Sequence, residues 1–188
     1  MANPAFIVEG HMEKRIIQRI CPGKPVRRIG CNGDEVKIDV IAKFLGVHLR
    51  TLKNYYPIII IFDRERRELT SAEIEAQLSL ALIESGHQDV DFRIIAADRT
   101  TENWILADKE SLKERYPRAK FNYEAEGVHG KGALRKVVET EETYSESTTG
   151  VELFCSVNPA VVAGISQSFS RLTECIDFPC YWLNNIDI

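Results

Sequence analysis

This chain of 188 residues, of which 44% are hydrophobic and 28% charged, has the length and composition of one ordinary globular domain. Its net charge of -4 argues against a protein that grips nucleic acid through a broad basic face, although a small acidic metal site could still meet a phosphodiester. No apolar run approaches the roughly 20 residues that span a membrane, and no basic region precedes the first apolar stretch, so we expect a cytoplasmic protein without membrane contact.

Four short apolar runs in the first hundred residues indicate buried β-strands. They lie at residues 5–8, 26–29, 57–62 and 91–96. Nearly continuous apolar strands that alternate with amphipathic helices are typical of a parallel sheet covered on both faces. The sequence therefore predicts an α/β fold in which right-handed crossovers join the strands.

Segments with helical periodicity separate and follow these strands. We predict helices over 12–20, 34–46, 70–86 and 101–107. The second helix opens at Asp34, and we expect Gly46 to end it. The third begins at a capping box formed by Thr70 and Glu73. Together with the strands, these helices give the order β-α-β-α-β-α-β.

The second half of the chain is less regular. Residues 109–150 are polar and include the acidic stretch "VETEETYSES", for which we predict a loop or a mobile edge. Asn158 followed by Pro159 is typical of a helix start. From there, apolar residues at helical spacing continue to Ile176, which predicts one amphipathic helix.

No internal repeat and no low-complexity linker divides the chain. We therefore predict a single domain over 1–188, with an α/β core at 1–108 and a C-terminal helical extension at 109–188. A chain of this length can bury a core without disulfide or metal staples. The five cysteines are odd in number and contain no C-x-x-C pair, so we expect reduced, buried thiols.

Acidic residues directly follow two of the predicted strands. Glu9 comes after the first strand, and Asp63 and Glu65 come after the third. In an open parallel sheet, ligands bind outside the carboxyl ends of the strands, so we expect these three residues to lie close together. Glu102 follows the fourth strand at a distance of several residues. Glu13, one helical turn beyond Glu9, either shares the site or is a plain exposed helix acid.

A cluster of carboxylates has a specific chemical consequence. The negative charges repel one another unless a cation is bound, and their hard oxygen atoms suit Mg²⁺ or Mn²⁺. Such ions activate water and stabilise a leaving oxygen in phosphodiester cleavage. The alternative interpretation is structural, because the segment "DRERRE" taken alone is typical of a solvated turn with local ion pairs.

The stretch "FIVEGHMEK", followed by "IIIIFDRE", resembles the Toprim fold, a Rossmann-like fold shared by topoisomerases, primases and OLD-family nucleases. That family has a glutamate after the first strand and usually D-x-D after the third, where this chain has D-x-E. The stretch "TTENWILAD" resembles the segment E-x-W-L-x-x-D of stand-alone Toprim-like proteins, including the DUF4276 family. The stretches "GKGALRKVV" and "TYSESTTGVELFCSVNPAVVAGISQSFSRL" are similar to their C-terminal region.

The resemblance implies roles for individual residues. Glu9, Asp63 and Glu65 would bind Mg²⁺ or Mn²⁺, and Glu102 would be a further acidic member of the site. Lys131 would be an electrostatic partner of the scissile phosphate, or else a surface lysine in a glycine-flanked turn. The function implied is that of a metal-dependent nuclease acting on DNA or RNA.

OLD-family nucleases join a Toprim domain to an ATPase domain, whereas this chain lacks the G-x-x-x-x-G-K-[ST] phosphate loop. The resemblance therefore implies an ATPase partner, encoded with this chain in a bacterial defence module. Two alternatives stay open. The acidic net charge favours a non-catalytic interaction or regulatory subunit, and a doubly wound sheet could also serve phosphoryl transfer on a small nucleotide.

Overall fold

A four-stranded parallel sheet forms the centre of the computed structural model, which describes residues 2–31, 33, 36–178 and 180. The strands are β1 (Ala5–Val8), β2 (Val26–Arg28), β3 (Ile58–Asp63) and β4 (Phe92–Ala97). Their spatial order is β2-β1-β3-β4. The ends of each strand lie within one residue of the predicted ends. The α/β fold class is therefore confirmed, and the arrangement is compatible with a Rossmann-like fold.

Successive side chains of a strand point to opposite faces of the sheet, so apolar strands contribute to two separate cores. In β3, Ile59 and Ile61 belong to the apolar cluster on one face, and Ile58 and Ile60 belong to the cluster on the other. These four isoleucines are at most 2% exposed. The isoleucine run therefore anchors β3 from both sides, in the middle of the sheet.

Helices cover both faces, as predicted. The helix α1 (His11–Ile20) packs on the first face, and α2 (Ile38–Thr51) and α3 (Ser71–Leu82) pack on the second. The handedness of the crossovers explains this division. Along the sheet, the connection from β1 to β2 runs toward one edge, and the connections from β2 to β3 and from β3 to β4 run toward the other edge. Right-handed crossovers in opposite directions put their helices on opposite faces of the sheet.

The ends of α2 and α3 differ in part from the prediction. The predicted start at Asp34 lies outside the described residues. The predicted stop at Gly46 is wrong, because this glycine keeps helical backbone angles and packs against the His87 side chain. The capping box of α3 is confirmed: Thr70 Oγ1 accepts from the Glu73 N–H at 3.2 Å, and Glu73 Oε2 accepts from the Thr70 N–H at 2.7 Å. A π-helical turn, Ile83–His87, follows α3.

The extension contains short helices, so the prediction of a loop over 109–150 is wrong for much of that range. After α4 (Glu102–Ala107), the chain forms α5 (Lys109–Arg115), α6 (Gly130–Val138) and a π-helical turn at Glu146–Gly150 that leads into α7 (Val151–Ser156). The apolar residues of these helices are few but buried, and tertiary packing rather than intrinsic propensity stabilises such short helices.

The predicted final helix is two helices, α8 (Pro159–Ile165) and α9 (Gln167–Cys175). Its start is confirmed, since Pro159 is in the first turn and Asn158 Oδ1 accepts from the Ala160 N–H at 3.0 Å. The break falls at Ser166, whose hydroxyl oxygen accepts from the Phe169 N–H at 3.3 Å and caps α9. A local cap thus interrupts the apolar periodicity.

The extension packs on the face of the sheet that carries α1. Trp104 of α4 is 1% exposed and lies at the centre of this contact. Its ring centroid is 5.4 Å from that of Phe169 and 6.1 Å from that of Phe154, and its Nε1–H donates to Ser168 Oγ at 2.8 Å. Residues on both sides of the predicted boundary at 108 therefore share one apolar cluster.

In the part of the chain that the structure describes, no cysteine forms a disulfide. Of these cysteines, Cys21 and Cys180 are buried, as expected. The expectation of buried thiols is wrong for Cys31, Cys155 and Cys175, which are partly exposed because they lie at the edges of the two apolar cores. Among the described residues, no single helix is long and apolar enough to cross a membrane.

Candidate functional site

A cleft of about 310 Å³ opens at the carboxyl ends of β1 and β3. These two strands are neighbours, but the chain leaves them toward opposite edges of the sheet. Such a reversal leaves a crevice between the strand ends, where ligands of open α/β sheets bind. Glu9 directly follows β1 and Asp63 is the last residue of β3, so both acids stand at this crevice.

The structure brings the six predicted site residues together. The cleft is lined by Glu9, Glu13, Asp63, Glu65, Glu102 and Lys131. His11, His129 and Glu146 also line it, although the sequence pattern did not indicate them. His129 immediately precedes the "GKG" stretch, which was the one available signal, whereas Glu146 lies in the acidic stretch that was predicted as a loop.

Backbone donors hold the two strand-end carboxylates. Glu9 Oε2 accepts from the Asp63 N–H at 2.8 Å, and Glu9 Oε1 accepts from the Gly33 N–H at 3.3 Å. Asp63 Oδ1 accepts from the Thr101 N–H at 2.9 Å. Separate segments of the chain are thus tied to one another through these carboxylates, which fixes the positions of both side chains.

Glu13 belongs to the cleft, so its interpretation as an exposed helix acid is wrong. It is 8% exposed. One carboxylate oxygen accepts from the Gly10 N–H at 2.9 Å and the other from Thr101 Oγ1 at 2.7 Å. Thr101 therefore donates to Glu13 through its hydroxyl and to Asp63 through its backbone N–H, and it holds the two carboxylates together.

Glu102 lies deeper and is 4% exposed. Its Oε1 accepts from the Tyr144 hydroxyl at 3.2 Å. Burial raises the pKa of the Glu102 carboxyl, and burial followed by the negative charge of Glu102 raises the pKa of the Tyr144 hydroxyl. Tyr144 comes from the extension, which therefore completes one side of the site.

The cluster carries unbalanced negative charge. Burial raises the pKa of Asp63 well above its ordinary value, and the charges of Glu13, Glu9, Glu102 and Glu65 raise it further. Burial also raises the pKa of Glu9, although the hydrogen bonds that it accepts offset part of this effect. A bound cation would offset the part of these pKa shifts that comes from repulsion between the carboxylates.

Lys131 is the second residue of α6, so its placement in a glycine-flanked turn is wrong. Its ammonium group forms an ion pair with Glu146 and its side chain is half exposed. The hydrogen bond to Glu146 is the largest cause of the raised pKa of Lys131, and the negative charges of Glu102 and Glu65 raise this pKa further. Lys131 therefore lies within electrostatic reach of the carboxylates while Glu146 holds it.

Glu65 has an uncommon backbone conformation. Its φ is 58°, and Arg99, which faces it, has a φ of 59°. The Glu65 N–H donates to the Arg99 carbonyl at 2.7 Å, and Arg99 Nη1 donates to the Glu65 carbonyl at 3.1 Å. Left-handed backbone costs a residue other than glycine about 1–2 kcal/mol. These reciprocal hydrogen bonds stabilise the turn that presents Glu65 to the cleft.

The carboxylates share one cleft without forming a compact ligand set. Within the described ranges, no group of three or more His, Cys, Asp or Glu side chains has the spacing that holds a metal ion. Hydrogen bonds from Asp63, Thr101 and Gly10 occupy several of the carboxylate oxygens instead. The site thus has the oxygen atoms and the negative charge that a cation needs, but its carboxylates accept hydrogen bonds from the protein instead.

The site also depends on a close approach between α6 and Asn103. Asn103 Oδ1 accepts from the Thr100 N–H at 3.0 Å, and its Nδ2 donates to the Ala125 carbonyl at 2.6 Å. Gly130 lies so close that an added Cβ would stand 2.7 Å from the Asn103 backbone nitrogen. Only glycine fits there without moving α6, which carries Lys131.

Gly130→Ala is therefore expected to lower the free energy of unfolding by about 1–3 kcal/mol, because the added methyl group overpacks a buried contact. Urea denaturation measures this loss. Gly164→Ala in α8 is the matched control, since beyond its chain neighbours and the backbone of its own helix no described atom lies within 4 Å of the added Cβ. There the helix propensity of alanine gives a gain of up to about 1 kcal/mol. Equal stability of the two variants would contradict the close approach.

Comparisons with protein-family models, with curated proteins and with solved structures find no match for this chain. The Toprim resemblance thus rests on its short motifs, and no relative supplies a function.

Proposed function

We propose that this protein is a divalent-metal-dependent nuclease that cleaves phosphodiester bonds of DNA or RNA in the carboxylate cleft. One observation carries the proposal: six carboxylates from four parts of the chain converge with Lys131 at the reversal point of a parallel sheet. Buried acids of one sign at a strand edge are unfavourable unless they meet a cation, so their convergence favours a metal site over a solvated turn.

The residues fit Mg²⁺ or Mn²⁺ in donor type and in charge. Glu9, Asp63 and Glu65 would hold the ion, with Glu13 as a further ligand. When bound, the ion would activate water and neutralise charge on the leaving oxygen.

The other side chains support the same reaction. Lys131 supplies a positive charge that can move from Glu146 to a phosphate oxygen as the substrate enters. Glu102 retains its proton to a higher pH than an exposed carboxyl does, which suits transfer of that proton to the leaving oxygen. Because the strand ends position Glu9 and Asp63, the site is built on rigid elements.

A second candidate function is a non-catalytic interaction or regulatory subunit. The hydrogen bonds that occupy the carboxylates favour it, as does the ion pair between Lys131 and Glu146. Under either proposal, we expect this chain to act with an ATPase partner in a bacterial defence module. Because the chain has 24 basic and 28 acidic residues, we expect the partner to contribute most of the affinity for nucleic acid.

Metal binding separates the two candidates. We expect Mg²⁺ or Mn²⁺ to raise the melting temperature of the purified protein, by more at pH 8 than at pH 5, because the carboxyls must lose their protons before they bind the ion. Calorimetric titration with Mn²⁺ measures the same binding directly. Asp63→Asn should abolish the shift. No shift at either pH would support the regulatory subunit.

The pH dependence of the metal-free protein has a definite sign. The folded pKa of Asp63 lies above the ordinary value of 3.8, so the folded state binds this proton more tightly than the unfolded state does. The stabilising contribution of this proton is complete at a pH below the pKa of Asp63 in the unfolded state. It is lost as the pH rises through the pKa of Asp63 in the folded state. A bound cation should restore stability above that window.

A further inference from the structure

A second cleft, of about 370 Å³, lies beside the carboxylate cleft. The segment before α6 and one side of α6 form it, and His129 lines both clefts, so they meet at this residue. The volume falls within the roughly 300–1,000 Å³ of typical ligand pockets. We call it the basic cleft; its lining includes Lys120, Asn122, Tyr123, His129, Ala133 and Lys136.

The charge of the basic cleft is opposite to that of its neighbour. Lys120 and Lys136 line it, and none of its described lining residues is Asp or Glu. Nearby basic side chains are neutralised within the protein, since Lys131 pairs with Glu146 and Arg135 with Glu139. Neither Lys120 nor Lys136 forms an ion pair with a described residue, so both charges are available to an anion.

The basic cleft also has an apolar part. Tyr123, Val128 and Ala133 contribute to its lining. Lys109 fixes the position of Tyr123: its Nζ donates to the Tyr123 carbonyl at 2.7 Å and lies 5.1 Å from the ring centroid. An aromatic side chain beside lysines is the combination that binds single-stranded nucleic acid, in which each unit offers a base face and a phosphate.

His129 has a defined role where the clefts meet. It caps α6, and its Nδ1 accepts from the Gly132 N–H at 3.1 Å. In the neutral ring, this acceptor role leaves the proton on Nε2. An exposed N–H donor therefore stands between the acidic and the basic cleft, where a strand that occupies both would place a phosphate.

We propose that the basic cleft binds one nucleotide of a single-stranded segment of the substrate, next to the bond that is cut. Lys120 and Lys136 contact phosphates and the base packs against Tyr123, so that the adjacent phosphodiester enters the carboxylate cleft. The proposal rests on the proposed nuclease function. It selects single strands because a paired and stacked base has no free face to offer to Tyr123.

The test measures binding apart from cleavage. Fluorescence anisotropy of a labelled single-stranded DNA oligonucleotide is recorded in EDTA at several salt concentrations. We expect the double variant Lys120→Gln/Lys136→Gln to bind about ten-fold more weakly at low salt. The slope of log K against log salt should fall by about 1.4, since each phosphate that a lysine neutralises on a single strand adds about 0.7 to the slope.

A charge-matched variant is the control. Lys43→Gln/Lys53→Gln removes two exposed lysines from α2 and its end, on the opposite face of the sheet, and should change binding less than two-fold. Tyr123→Leu should weaken single-strand binding about ten-fold without changing the salt slope, because it removes stacking rather than charge. Equal effects of the two lysine variants, or equal affinity for duplex and single strand, would overturn the proposal.

The outcomes distinguish this proposal from the proposed function. If binding follows Lys120 and Lys136 but the parent protein never cleaves with Mg²⁺ or Mn²⁺, the basic cleft is a strand-binding site and the nuclease assignment is wrong. If cleavage requires Asp63 but the lysine variants bind as the parent does, the nuclease assignment holds and the basic cleft is not its strand site.

Discussion

Asp63→Asn is expected to reduce metal-dependent cleavage of nucleic acid by at least about 100-fold in a protein that stays folded. Asp63 is at the centre of the site: it ends β3, and burial, followed by the charges of four other carboxylates, raises its pKa. The asparagine keeps an oxygen for the Thr101 N–H but loses the charge that would hold the ion. Loss of a supporting residue alone costs metal sites about 10–100-fold, so loss of a direct ligand should cost more.

The control for this variant is Glu68→Gln, which removes an exposed acid from the same segment. It should cleave as the parent does. Gel assays of labelled DNA and RNA with Mg²⁺ or Mn²⁺ measure the rates, and urea denaturation in EDTA measures stability. Above the raised pKa, the metal-free asparagine variant should be more stable than the parent, because a buried charge is gone. Equal cleavage by variant and parent would refute the assignment, and a large loss of stability would identify Asp63 as a structural cap.

Trp104→Ala is expected to lower the free energy of unfolding by about 3–5 kcal/mol, the usual cost of truncating a buried large aromatic side chain. The indole contacts Phe154 and Phe169 and donates to Ser168, so its loss opens a cavity between the sheet and the extension. Phe44→Ala is the control, because Phe44 is 42% exposed, and we expect it to cost less than about 1 kcal/mol.

The same denaturation experiment tests the single-domain prediction. If the extension and the α/β core share one cooperative core around Trp104, then fluorescence and circular dichroism should report one transition in the parent, and circular dichroism should report one transition in the variant, which lacks Trp104. Two separate transitions, with only one of them shifted by Trp104→Ala, would show that residues 109–188 form an independent unit and that the prediction is wrong.

The sheet and its strand-end acids could be predicted because the signals for them are local. A run such as Ile58–Ile61 has few alternatives to a strand buried on both faces, and the end of the strand then fixes where Asp63 emerges. The helices of the extension could not be predicted in this way. The helix α6 is short and rich in charge, and it depends on the burial of Leu134, Val137 and Val138 against the rest of the chain.

The same distinction applies to the candidate site. Glu9 and Asp63 follow strands, so the topology alone brings them together. Tyr144 and Glu146 reach the cleft only because the extension packs across α1 and α4, and no pattern within their own stretch indicates that contact. The ion pair that Glu146 forms with Lys131 is likewise a product of tertiary packing.

The left-handed backbone conformation of Glu65 creates a conflict between the stability of the fold and the proposed activity. Glycine adopts this backbone freely, whereas another residue pays about 1–2 kcal/mol. At this position, then, selection for folding alone favours a residue without a carboxylate, whereas the proposed metal binding would favour the glutamate. Such conflicts between stability and function are a recognised cost of thermostabilisation. A variant library ranked only by melting temperature would therefore enrich Glu65→Gly and remove an acid from the cleft.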